Sequence, residues 1–448
     1  MKQERWFSLF TSSRTIIGLS IFGKKVVILA EQADDCLKQL WKISWVYRRL
    51  AVVRTWFESF RRRRNAAFWE GANRRWGKAI EAGIILTIAL MPVLNSWEVL
   101  LGLTLLLYVI RFPERKLPDT GLIFFWLALT VSAIMAVGIK GLNGLVTVTV
   151  WLLIAGLAGR AFTAEFSRKV IRFILSAGLI WMVIGLWQQA AGVFTPAGWL
   201  EQGQNLLISV RSYSVFGNPN IYGMYLVSIL IFAFLEINAG DRFHCAVARL
   251  IIPVALTSLF FTYSRTAWLL GLTVIIGWFG KRLCSGKHCY LLGLGILFLI
   301  VGIPGFKARI IGPVNFFEST LRLRVEIWRN ILTILADFWP WGAGSGSFSE
   351  VYGSYLTGSG LVQHGHQLYL QLWLESGILS LAALIRVIAK SLAGFNGFHC
   401  DAKAVALVIA VFLISGLVET WWVHQFSGGY FWLLIGLLQS MRAGRINS

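Results

Sequence analysis

The chain has 448 residues, 56% of them hydrophobic and 14% charged, and its 42 Lys and Arg outnumber 21 Asp and Glu for a net charge of +21. A soluble domain carries about 25% charged residues, so this composition excludes an ordinary globular enzyme, a disordered chain and a disulfide scaffold. What remains is an all-α polytopic membrane protein, and the basic balance, which in a soluble protein would point to nucleic acid, has to be explained by where it sits.

Residues 1–78 hold 17 basic and 6 acidic side chains. Lys24 and Lys25 interrupt the apolar run 15–30, so no span is expected there, and no small-residue cleavage site marks a signal peptide. From Trp41 to Phe60, apolar residues recur at helical spacing: Trp41, Trp45, Leu50, Val53, Phe57 and Phe60. Arg48, Arg49, Arg54 and the run from Arg61 to Arg64 occupy other positions or follow directly. An amphipathic helix with Trp on one side and Arg on the other suits the surface of an anionic leaflet. The expected partner of this cytoplasmic, interfacial segment is anionic lipid, not nucleic acid.

Residues 79–448 form the expected transmembrane domain. A bilayer core needs about 20 apolar residues in helix, and twelve stretches qualify or nearly qualify: 79–95, 96–111, 121–138, 142–158, 170–192, 221–237, 246–264, 265–280, 289–305, 367–388, 403–420 and 428–441. The break Tyr263-Ser264-Arg265-Thr266 divides 246–280 into two crossings. With the N-terminus inside, residues 1–78 contribute 17 basic residues and the inner loops another 17, so 34 of the 42 lie inside. Outside are Lys140, Arg211, Arg265, Lys307, Arg309, Arg322, Arg324 and Arg329. This bias fixes both termini in the cytoplasm, and a miscount by one span would destroy it. Cys36, Cys245, Cys284, Cys289 and Cys400 then fall on or near the inner face, where thiols stay reduced and no disulfide is expected. Cys284, His288 and Cys289 lie close together but match no standard zinc spacing. No metal and no cofactor is expected.

Two outer segments are long, 193–220 and 306–366, and long ordered loops usually carry function. The first ends in Gly217-Asn218-Pro219-Asn220, a turn leading into a helix start, whose exposed amides could bind an anion or simply join loop to helix. Arg265, at a membrane boundary against the charge trend, either snorkels or binds phosphate as a fork; phosphate is the favoured reading. In the second segment Leu321, Val325, Trp328, Ile331, Leu332 and Leu335 recur at helical spacing, and Arg324 and Trp328, four apart, share a face. Gly342, Gly344 and Gly346 follow and would let a backbone approach a ligand closely. His366 then stands at the mouth of a span, with Glu375 about 13 Å deeper at 1.5 Å per residue. An ionisable group at that depth is a functional candidate, though a helix–helix hydrogen bond is its favoured role. His364 and His366 could in principle share a metal, but a single neutral His366 acting as general base fits better, because nearby arginines favour the uncharged ring.

In this order and on one face, these motifs resemble the O-antigen ligase/polymerase superfamily of membrane glycosyltransferases across about residues 79–441. They are Gly217-Asn218-Pro219-Asn220, Tyr263-Ser264-Arg265, Arg324 with Trp328, Pro340 with Gly342 and Gly344, and His366-Gln367 followed after nine residues by Gly377. Ser380 stands where the family pattern usually has a further small residue such as Gly. The resemblance implies a GT-C-like fold of about 12 transmembrane helices with a long helical outer-face loop, in a bacterial inner membrane. It implies metal-independent, inverting transfer of a glycan from undecaprenyl pyrophosphate on the periplasmic face, to a glycan, lipid A core or protein acceptor. Carried over, His366 is the general base and Arg211, Arg265 and Arg324 bind the pyrophosphate, with Asn218, Asn220, Arg322, Glu375 and Gly377 in support. The competing class is a small-anion transporter, since some cyanobacterial relatives carry a bicarbonate-transporter label. Transporters tend to show inverted repeats and deep ionisable residues, whereas here the candidate groups gather on one face.

Overall fold

Long apolar runs punctuated by Gly, Pro and basic pairs leave the backbone one way to satisfy its polar groups within each segment, the α-helix. The computed structural model describes residues 78–88, 91–93, 100, 104, 120–135, 139–193, 195, 210–237, 241–283, 314–355 and 362–443. These residues are all-helical, with no strand among them. Among the described residues, eleven α-helices follow the short helical stretch 78–88. They are α1 (Thr120–Met135), α2 (Ile139–Ala161), α3 (Ala164–Ala190), α4 (Pro219–Ile237), α5 (Arg242–Phe261), α6 (Arg265–Leu283), α7 (Val314–Phe338), α8 (Phe348–Tyr355), α9 (Leu368–Leu392), α10 (Cys400–Ser415) and α11 (Gln425–Ala443). Four helical stretches are long and apolar enough to cross a membrane: α3, α4, α5 and Leu368–Gly397, which begins with α9. Shorter apolar helices cover Gly121–Met135, Gly144–Gly159 and Arg265–Trp278. The amphipathic segment 41–60, the spans expected at 96–111 and 289–305, and the Cys284–Cys289 cluster lie outside the described residues, apart from isolated positions 100 and 104.

Helix starts follow local chemistry. Thr163 caps α3, its hydroxyl accepting from Phe166 N at 3.1 Å, and the Asp241 carboxylate accepts from Phe243 N at 3.0 Å at the start of α5; such caps are worth about 1 kcal/mol each. The helix α4 is apolar all round, and that pattern demands burial on every side. It is accordingly the central helix, enclosed by α3, α5, α6 and α10, with only Asn220 and Ile237 among its residues not buried. A second group packs α11 along α2 and α9 along α1. Gly428 of α11 lies against the Trp151 ring, which leaves no room for a Cβ there, the close approach that small residues allow between membrane helices.

Ion pairs establish which helix ends lie together. Arg168, near the start of α3, donates to both carboxylate oxygens of Asp401 at the start of α10, at 2.9 and 2.8 Å. Arg172 pairs at 3.2 Å with buried Glu236 at the end of α4. The starts of α3 and α10 and the end of α4 therefore share one end of the bundle. The start of α4, the end of α10 and the start of α9 share the other, where Leu368 N donates to Gly416 O at 2.8 Å.

Candidate active site

At that second end the chain segments between helices are bound to one another by polar side chains. Asn218 caps α4, its side-chain oxygen accepting from Asn220 N at 2.8 Å. The Asn220 side chain bridges two further residues. Its oxygen accepts from Arg211 Nη2 at 3.2 Å, and its amide donates to Glu419 Oε1 at 2.9 Å. Arg211 is itself buried, and its Nε donates to the carbonyl of Thr262 at 3.0 Å. Arg265 begins α6 three residues beyond that carbonyl, so Arg211 is tied to the segment that carries Arg265. Glu419 extends the chain of contacts to α7: Arg324 Nη2 lies 3.5 Å from its Oε1, and Arg324 Nη1 donates to Val418 O at 3.1 Å. Burial pushes the Glu419 carboxyl above its usual range, opposed by Arg324 and Arg211.

The helix α7 supplies Arg324 and holds the histidine segment. Its buried stripe is Ile327, Ile331, Ile334 and Leu335, packed with Phe348, Tyr352 and Leu374. The sequence pattern had placed Val325 and Leu332 on the same stripe, and both are instead exposed. The helix α7 is amphipathic, its buried residues recurring at i, i+4, i+7 and i+8. Arg322, Glu326 and Arg329 are exposed beside Val325 and Leu332, and Trp328 donates its Nε1 to Gly365 O at 3.1 Å. Arg324 and Trp328 do share a side, one turn apart, and both reach the loops around Val418 and Gly365. Arg322 is an exposed residue of α7.

His366 is a ring held in an uncharged state. Burial, with His364 and Arg324 adding to it, lowers its pKa to about 3. His364 is lowered too, by burial and then by Arg324. The His366 backbone is left-handed, φ 49°. The two other non-glycine residues with positive φ among the described residues are Ser214 and Tyr263, both at φ 51°. They stand three and two residues from Arg211 and Arg265. Strained backbone of this kind collects at functional sites, and all three instances fall in the segments that hold the candidate side chains.

Glu375 and Gly377 work below the histidine. Gln371 joins the levels: its oxygen accepts from Gly365 N at 2.8 Å, and its amide donates to Glu375 Oε1 at 3.0 Å. The Glu375 carboxylate also accepts from Phe348 N at 3.3 Å, and its carbonyl accepts from Gly344 N at 2.7 Å and Ser132 Oγ at 2.9 Å. These contacts give Glu375 the role of a helix-to-loop fastener. Gly377 kinks α9 with φ 76° and ψ 167°, a region essentially confined to glycine. A Cβ there would strike Pro340 O and come within 2.6 Å of Trp341. Gly377→Ala is therefore expected to destabilise the protein by at least about 1–3 kcal/mol from backbone strain alone, read as a lower thermal unfolding temperature in detergent. Gly353→Ala, at a helical position with open space around it, serves as the control and should be nearly silent.

Glu419 is not among the sequence candidates; it lies at the end of the expected span 403–420, just beyond the last residue of α10, Ser415. The signal was a lone acid near the end of an apolar run, which by default marks function. His424, whose Nε2 lies 2.9 Å from Phe216 O, also ties this face together unannounced.

No curated protein matches the chain. Residues 250–385 match the model of the family described as O-antigen ligase. The matched stretch, which carries Arg265, Arg324, His366 and Gly377, is similar to that family.

Proposed function

We propose that the chain is a membrane glycosyltransferase that transfers or polymerises a glycan from undecaprenyl pyrophosphate on the periplasmic face of a bacterial inner membrane. The observation that carries this reading is an uncharged, largely buried His366 close enough to Arg324 to feel its charge, at the end of the bundle where Arg211, Asn220 and Glu419 converge. As the glycosidic bond breaks, its electron pair passes to the leaving pyrophosphate. Positioned guanidinium groups stabilise that growing charge, the task a divalent ion would otherwise perform. His366 takes the proton from the acceptor hydroxyl as the new C–O bond forms. Attack from the side opposite the pyrophosphate inverts the anomeric centre. The exposed apolar side chains of α3 and α6, among them Ile180, Trp187 and Leu269, offer a lipid-compatible flank for the polyprenyl tail.

The test is turnover by purified protein supplied with an undecaprenyl-pyrophosphate glycan, with and without EDTA. Product length separates single transfer from polymerisation, and EDTA should leave the rate unchanged. Absence of turnover together with bicarbonate uptake into proteoliposomes would replace this reading with transport. Arg265→Lys is expected to lose most of the activity while keeping the charge, because an ammonium cannot form the two-pronged contact a guanidinium makes with phosphate. Full activity in that variant would reduce Arg265 to a point charge.

A further inference from the structure

A histidine base is ordinarily oriented by a hydrogen bond at its second ring nitrogen, which fixes tautomer and ring angle together. His366 lacks that anchor: its Nδ1 is enclosed and has no hydrogen-bond partner among the described residues. Orientation has to come from packing. The ring against it is that of His364, with centroids 4.1 Å apart and planes at 69°. The residue between them is clamped on both sides of its peptide backbone, Gly365 N on Gln371 Oε1 at 2.8 Å and Gly365 O on Trp328 Nε1 at 3.1 Å. A Cβ at Gly365 would come within 2.9 Å of Ile331, so the segment is seated directly on the apolar core of α7 and α8. The left-handed turn at His366 then completes a rigid frame in which two imidazoles meet edge to face. His364 Nδ1 is likewise enclosed and without a partner among the described residues, so neither ring is held by a bond at that nitrogen.

We propose that His364 is a positioning residue for His366: its ring, packed edge to face, sets the angle at which the base meets the acceptor hydroxyl. The proposal rests on His366 being the base. An imidazole suits the task because it gives an aromatic wall that stays uncharged beside Arg324, where a cation would be repelled.

The experiment compares wild type, His366→Ala, His364→Ala and His364→Phe in the glycan-transfer assay, with inorganic pyrophosphate binding as the check on an intact site. His364→Ala should lower kcat about tenfold to a hundredfold, the scale of a small misplacement of a catalytic group, and leave pyrophosphate affinity unchanged. His364→Phe restores the ring without its nitrogens and should return kcat to within about threefold of wild type, with KM unaltered. Wild-type kcat in His364→Ala would overturn the proposal. So would a His364→Phe variant as slow as His364→Ala, because the nitrogens rather than the ring would then be required. Activity in His366→Ala would remove the base assignment itself, a separate failure.

Discussion

His366→Ala is expected to slow transfer by about 10²–10⁴-fold, the usual contribution of a positioned base, with donor affinity nearly intact because the arginines remain. The pH profile carries the sharper expectation. In the free protein His366 titrates at about 3, so kcat/KM, which reports the free enzyme, should have no acid limb near the ordinary histidine value. A bound pyrophosphate reverses the local field. Its negative charge opposes both burial and Arg324 and raises the pKa of the ring, so kcat, which reports the loaded enzyme, should fall at a higher pH than kcat/KM does. Donor binding thus supplies the basicity that proton removal needs. The stability consequence has the same origin. The unfolded ring takes up a proton at about pH 6.5, whereas the folded ring does so only near 3. Folded stability should therefore decline as pH falls through that window, and His366→Ala should remove this part of the decline. A kcat/KM limb at about 6.5 would mean that the ring is solvated rather than enclosed.

Breaks between successive apolar runs alternate between the two ends of a bundle, and with α4 and α5 between them Asn220 and Arg265 fall at one end as that alternation expects. Of the two spans expected between Arg265 and His366, 289–305 lies outside the described residues. The helix start at Pro219 and the helical run of α7 were legible from local chemistry as well. What stayed hidden depends on contacts between remote segments. Glu419 pairs with Asn220 across 199 residues of sequence, and no local pattern announces such a pair. The helical spacing of α7 takes in Val325 and Leu332 as well as Ile331 and Leu335, and the structure buries the latter pair and exposes the former. Gly377 is marked in the sequence by the family resemblance, whereas the physical need for glycine there, a loop at Pro340 and Trp341 lying directly on a kinked helix, is a property of the packed structure. The count of about twelve spans rests on segments beyond the described residues.

Arg324→Ala should cost about 10²–10³-fold in kcat/KM, the loss on removing one positioned donor from a developing anion, and it should also destabilise the protein. The two effects have different causes and separate in a double-mutant cycle with Glu419→Gln. In the native site the Arg324 guanidinium lies 3.5 Å from a buried Glu419 carboxylate. Deleting one partner of a buried pair leaves the other charge uncompensated. Burial already raises the Glu419 carboxyl and Arg324 pulls it back, so without Arg324 the raised pKa climbs further. A carboxyl raised on folding contributes most at low pH and loses that contribution as pH rises through its folded value. The gap in unfolding temperature between wild type and Arg324→Ala should therefore widen from acid to neutral pH. Glu419→Gln, which keeps the shape and removes the charge, should flatten that dependence and restore the stability of the Arg324→Ala background. Turnover should not return in the double variant, because pyrophosphate still lacks its guanidinium. A double variant that recovers transfer would show that Arg324 serves only to neutralise Glu419, and the pyrophosphate role would then fall to Arg211 and Arg265.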